Sequence, residues 1–143
     1  MARGAKNQEL IETLQAIPLF SSCTKKELAL VADIAKPQEY PQGHAIVVQG
    51  REGAGLHIIT EGTVKVEVDG KLRRKLGPGR FFGEIALLDN GLRTATVTAE
   101  TPVRTLSIVS WQFRGLLKDQ PNLTIRMLED VCRRLRSVDD TVS

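Results

Sequence analysis

The sequence predicts a mainly β fold, a β-jelly roll (a double-stranded β-helix) with N-terminal helices and two C-terminal helices. Two observations carry this. Residues 36–109 are punctuated by glycine, at Gly43, Gly50, Gly62, Gly70, Gly77 and Gly79. Between the glycines lie short alternating or apolar stretches, "AIVVQ", "LHIIT", "TVKVEV" and "TATVTA". Many short strands at this spacing argue for a barrel or a double-sheet jelly roll. A parallel α/β arrangement needs long crossover helices, and this zone has no room for them.

The flanking zones read as helices. Leu10, Ile11, Leu14 and Ile17 fall at helical spacing, and Pro18 ends that pattern. Thr24-Lys25-Lys26-Glu27 has the form of a capping box and opens a second helix with Leu28, Val31, Ala32 and Ile34 inside, so residues 7–35 form an N-terminal helical zone. Within the strand zone, Val64, Val66 and Val68 face one way while Lys65, Glu67 and Asp69 face the other. Val68-Asp69-Gly70-Lys71 supplies Asp-Gly, a two-residue hairpin signal. Ser110 is read as the N-cap before "WQFRGLLK", and Pro121 opens the last helix, giving C-terminal helices over 110–140. In that helix Leu128, Val131, Leu135 and Val138 form an apolar seam of 3-4-3 spacing, shorter than a coiled coil requires.

The chain has 143 residues, which fits a single domain over 1–143 with one core. Its 41% hydrophobic and 26% charged residues are ordinary for a soluble globular protein. No apolar run approaches the roughly 18 residues needed to span a bilayer, and the polar start "MARGAKNQEL" argues against a signal peptide. Cys23 and Cys132 are isolated, with neither metal spacing nor a disulfide framework, and are read as reduced thiols of a cytoplasmic protein. A net charge of +3 is too small to argue for nucleic acid. The basic runs at 71–75 and 133–136 lack interleaved aromatics and read as solvated faces, so neither a direct nucleic-acid partner nor a membrane is expected.

The candidate chemistry lies in "FFGEIALLDNGLRTATV", residues 81–97, where Glu84 and Arg93 stand in a run poor in other charge. Phe81, Phe82 and Gly83 end a strand, and "EIALL" makes about one helical turn and a half. Gly83 lets backbone approach a ligand without a Cβ in the way. The N–H groups that open a helix are unpaired and suit an anion. Arg93, beyond the loop Asp89-Asn90-Gly91-Leu92, adds a full positive charge and a planar donor fork. Glu84 can accept from hydroxyls, so a sugar phosphate fits. The same spacing allows an internal Glu84–Arg93 pair, with Glu84 placed by the helix dipole.

"FGEIALLDNGLRTATV" closely resembles the phosphate-binding cassette of the cyclic nucleotide-binding domain family, of the catabolite-activator and protein kinase A regulatory-subunit type. "GHAIVVQG", "LHIITEGTVKV" and "LGPGRFFGE" extend the resemblance upstream, and it covers roughly residues 17–138. It implies a cassette at 82–95 in which Glu84 binds the ribose 2′-hydroxyl and Arg93 pairs with an exocyclic phosphate oxygen. Backbone N–H groups around Gly83, Ile85, Ala86 and Ala95 would complete the cradle. Val64 and Val66 would lie against the base, with part of the last helix as a lid. Leu92 stands where the family frequently has Pro. The implied ligand is cAMP. Thr94, with a hydroxyl able to accept from the 2-amino group of a syn guanine, keeps cGMP as the alternative. Arg133, Arg134 and Arg136 are possible base neighbours. No metal and no further cofactor is implied.

The resemblance implies a regulatory sensor, not an enzyme, that transmits ligand binding through the helices at 110–118 and 121–138 to an unidentified effector. A metal-dependent cupin would need clustered ligands, but His44 and His57 form no His-x-His pair. Ser107 and Ser110 have no His base nearby in sequence and no nucleophile elbow. No helix-turn-helix is read after the last helix. The chain is therefore expected to be a free-standing sensor or one domain of a longer transcription regulator, channel or kinase. The intact Glu84 and Arg93 weigh against an interaction module with a dead pocket. The short seam on a marginal helix predicts a weak or ligand-dependent homodimer through 121–138.

Overall fold

A computed structural model describes the backbone of residues 2–53, 55–89 and 91–142, and within these the side chains of all but 2–6, 85 and 139–142. Asn90, in the loop before Arg93, lies outside the described residues. The chain divides into two compact units, Ile34–Phe113 and a helical unit of Met1–Asp33 with Arg114–Ser143.

In the first unit the strands are β1 (Lys36–Tyr40), β2 (Ala45–Val47), β3 (Gly55–Glu61) and β4 (Val64–Val68). They continue as β5 (Lys71–Leu76), β6 (Phe81–Phe82), β7 (Thr96–Ala99) and β8 (Val103–Val109). Two four-stranded antiparallel sheets result, β1-β8-β3-β6 and β2-β7-β4-β5, which is the expected jelly-roll architecture. Their inward faces meet in an apolar core that includes Ile59, Val64, Val66, Phe82, Val97 and Val103. The Asp-Gly signal is realised as the β4–β5 hairpin. Asp69 and Gly70 both have positive φ, 53° and 77°, as a type I′ turn requires, and Val68 faces Lys71 across it. Gln49 closes on this turn, donating Nε2–H to Asp69 Oδ1 at 2.9 Å and accepting the Asp69 N–H at 2.8 Å. Polar groups also line one end of the inward face. His57 Nδ1 lies 2.9 Å from Ser107 Oγ, which lies 3.0 Å from Thr105 Oγ1.

The helical unit holds α1 (Ala2–Gln15), a 3-10 turn at Pro18–Phe20, α2 (Lys25–Asp33) and α4 (Pro121–Val142). Between the units in sequence runs α3 (Ser110–Asp119). Pro18 starts the 3-10 turn as its first residue, a position with no intrahelical use for an N–H. The capping box forms reciprocally: Thr24 N–H donates to Glu27 Oε1 at 2.9 Å, and Glu27 N–H donates to Thr24 Oγ1 at 3.2 Å. Arg126 of α4 pairs with the same Glu27 carboxylate. Burial raises the Glu27 pKa, but the Thr24 and Arg126 hydrogen bonds outweigh it and hold the carboxyl below its ordinary value. Leu14, Ile17, Phe20 and Leu28 are buried, as are Leu123 and Met127 of α4. The other side of α4 is bare. Leu128, Leu135 and Val138 of the expected seam are 58–60% exposed, whereas Val131 is half-buried.

Candidate functional site

Residues 81–97 fold as a strand, a turn and a second strand. Phe81 and Phe82 pair with Ile58 and His57 of β3. Gly83 follows at φ +86°, a left-handed conformation that turns the chain sharply and that residues with a Cβ seldom adopt. Glu84 then opens a single 3-10 turn, Ile85–Leu87, with the Leu87 N–H donating to the Glu84 carbonyl at 3.2 Å. The expected turn and a half of helix is thus shorter and tighter. Three residues carry almost no macrodipole, so individual N–H groups are what this turn offers an anion. The Ile85 side chain lies outside the described residues.

Arg93 is held by Gly50 and by three residues not singled out from the sequence, Arg51, Gly53 and Gly55. Its backbone N–H donates to Arg51 O at 2.9 Å, and the Gly50 N–H donates to Arg93 O at 2.9 Å. Its side chain threads between glycines. A Cβ on Gly83 would lie 2.5 Å from both Arg93 Nη1 and Gly55 O, and a Cβ on Gly53 would collide with Arg93 Nε. Nη2 donates to the Gly55 carbonyl at 2.9 Å. The space left by the missing Gly83 side chain therefore goes first to Arg93, where the sequence reading reserved it for a ligand.

The electrostatics point the same way. The guanidinium is half-buried, and burial lowers its pKa from the ordinary value while leaving it charged. Its Nε is buried with no hydrogen-bond partner among the described residues. None of the ion pairs among the described residues includes Arg93, so the internal Glu84–Arg93 pair that the spacing allowed is not formed. A buried donor and an uncompensated charge are both costly unless an anion completes them. Behind the site, His57 stacks on Phe82, ring centroids 4.9 Å apart. Burial, then the Arg93 charge, push its pKa down to about 4, so it is neutral.

Glu84, Arg93, Thr94, Ala95 and Val66 line one cavity of about 310 Å³, with Gly83 and Ala86 in its wall. That size suits a small-molecule site. Val64, expected against the base, does not reach it. It is 0% exposed, packed in the sandwich core. The apolar floor is Val66 with Val47 and Val97, two residues not singled out from the sequence. Arg74 was also missed. It belongs to the run read as solvated, yet it stands opposite Val66 in the β4–β5 register, on the same face, and lines the cavity. Two of the arginines expected near the base, Arg133 and Arg134, are engaged within the helical unit. Arg134 donates to Asp130 at 2.8 Å and to Pro18 O at 2.9 Å, and Arg133 lies 3.6 Å from Asp130. Among the described residues no cluster of three or more His, Cys, Asp or Glu could hold a metal ion, and no helix is long and apolar enough to cross a membrane.

The chain that forms this cavity is similar to known proteins. Residues 37–120 fit the family model of the cyclic nucleotide-binding domain. The chain belongs to this family. It is 30% identical over 137 residues to the CRP-like cAMP-activated global transcriptional regulator of Mycobacterium tuberculosis, covering 92% of this chain and 61% of that protein. The N-terminal domain of a transcriptional regulator from Streptomyces coelicolor A3(2) superposes with a TM-score of 0.80 at 29% identity, covering 92% of this chain and 95% of that one. The regulatory domain of Toxoplasma gondii PKA, in a co-crystal structure with cAMP, gives a TM-score of 0.69 at 28% identity, covering 80% and 46%. The chain is thus a cyclic nucleotide-binding regulatory domain, and it spans less than two thirds of its mycobacterial relative.

Proposed function

We propose that this domain senses cAMP, with Arg93 bound to the cyclic phosphate and Glu84 to the ribose 2′-hydroxyl. The backbone of Gly83, Ile85, Ala86 and Ala95 closes around the phosphate, and the purine lies over Val66, Val97 and Val47. The observation that carries the reading is the half-buried Arg93 with its orphaned Nε, in the wall that also bears Glu84. Ligand phosphate draws the cassette inward, and the C-terminal helices pass the change to an effector domain or partner of a cytoplasmic regulator. Such a change needs only that the nucleotide bind one of two states better. The domain carries out no catalysis in this reading.

Two measurements bear on the ligand. Glu84→Ala is expected to weaken cAMP binding by about 1.5–3 kcal/mol, the scale of a hydrogen bond to a charged group. Calorimetry checks this, and a change under threefold would remove Glu84 from the site. The second reading, cGMP, is supported by Thr94 and Arg74, both on the cavity wall. A threonine hydroxyl can accept from the guanine 2-amino group, and an arginine can donate to its 6-oxo group. We expect cAMP to bind more tightly in both wild type and Thr94→Ala. A preference for cGMP of about tenfold, lost in Thr94→Ala, would contradict that assignment.

The exposed side of α4 supports a second copy of this chain as a partner. Leu128 and Leu135 lie on it together with Ile125 and Cys132, at alternating spacings of three and four. A helix with this stripe gains most of its stability from packing rather than propensity. Sedimentation is expected to detect a weak dimer that cAMP strengthens. A strict monomer at high concentration, with and without cAMP, would rule the dimer out.

A further inference from the structure

Ser110 was expected to cap α3, and its hydroxyl does something more specific. It is the first residue of the helix, immediately after β8, and is 3% exposed. Its Oγ–H donates to the carbonyl of Leu87 at 2.8 Å, a residue 23 positions earlier and fully buried. Leu87 closes the 3-10 turn that Glu84 opens, through its N–H on the Glu84 carbonyl. Two hydrogen bonds that meet at Leu87 therefore connect Glu84, in the cavity wall, to the first residue of α3. Both ends of the Ser110–Leu87 bond are buried, so breaking it leaves a carbonyl without its partner and away from water.

We propose that Ser110 is a positioning residue that locks the first turn of α3 to the cassette turn, so that a nucleotide held by Glu84 and Arg93 moves the two together. The proposal rests on the cyclic nucleotide reading of the site. A hydroxyl is needed because the link is a directed hydrogen bond to a carbonyl. Alanine removes it, cysteine keeps the volume but donates weakly, and threonine restores the donor. The molecule carries its own reporter. Trp111, the only tryptophan of the sequence, follows Ser110 directly and is 69% exposed, so its emission reads the surroundings of the first turn of α3.

The test titrates the purified chain with cAMP by calorimetry and by Trp111 fluorescence in parallel. In wild type both signals are expected to saturate at the same stoichiometry. In Ser110→Ala and Ser110→Cys the calorimetric affinity stays within about tenfold, the scale of one hydrogen bond, while most of the Trp111 response is lost. Ser110→Thr regains it. If Ser110→Ala does not fold, Ser110→Cys alone decides. A full Trp111 response in Ser110→Cys, or no recovery in a folded Ser110→Thr, overturns the proposal. A wild type that binds cAMP by calorimetry while Trp111 stays silent overturns it as well, with the sensor reading intact. A wild type that gives no calorimetric binding overturns the sensor reading itself, and this link with it.

Discussion

Arg93→Ala is expected to weaken cAMP binding by about 2–5 kcal/mol, or roughly 30-fold or more, since a desolvated phosphate loses its counter-charge. The same change is expected to leave the stability of the ligand-free domain nearly unaltered. Arg93 contributes one hydrogen bond to Gly55 O, but among the described residues its Nε has no partner and its half-buried charge no ion pair, so its removal also relieves a cost. Binding and stability should therefore separate. Calorimetry and chemical denaturation on the same preparation check both halves. A variant that binds within threefold of wild type would show that the anion site is elsewhere. A variant that unfolds would show that Arg93 is a structural pin.

Acid is expected to weaken the fold through His57. In the unfolded chain this histidine takes up a proton near pH 6.5, whereas in the folded protein burial and then the Arg93 charge hold its pKa at about 4. Between those values the unfolded state binds a proton that the native state does not, so stability falls as the pH drops from about 6.5 to about 4. Two and a half pKa units correspond to roughly 3 kcal/mol at 1.36 kcal/mol each. His57→Gln keeps a partner for Ser107 without the titration and should lose less stability by about 2–3 kcal/mol between pH 7.5 and 4.5. Urea denaturation of both proteins at the two pH values measures this. Equal losses would mean that His57 is not the group that titrates.

What could be read directly from the residues was local. The Thr24–Glu27 capping box, the Asp69-Gly70 hairpin and the alternation of β4 each depend on neighbours a few residues apart, and each stands where it was read. The cassette was legible as a string, because its glycine, acid and arginine keep a fixed spacing. Its geometry was less so. The glycines at 53 and 55 make room for and anchor Arg93 from 38 to 40 residues away, a relation no periodicity encodes. Arg74 was hidden in a basic run because which of its residues faces the cavity depends on the β4–β5 register. That register shifts between Val66 and Glu67. Val64 shares a face with Val66 but lies deeper between the sheets, and alternation gives the face without the depth. Ser110 was read as a cap from its place before a helix, and its bond to Leu87 joins residues 23 positions apart, a relation that no local pattern encodes.

The central claim is that the cavity between Glu84 and Arg93 takes a cyclic nucleotide monophosphate. Calorimetric titration of the wild-type chain with cAMP, cGMP and 5′-AMP tests it most directly. All three share a purine, a ribose and a phosphate, but only the first two present a singly charged ring phosphate beside a free 2′-hydroxyl. The account predicts saturable one-to-one binding of cAMP, weaker binding of cGMP, and 5′-AMP at least tenfold weaker than cAMP, about 1.4 kcal/mol or more. No heat with either cyclic nucleotide, or 5′-AMP binding as tightly as cAMP, would contradict it.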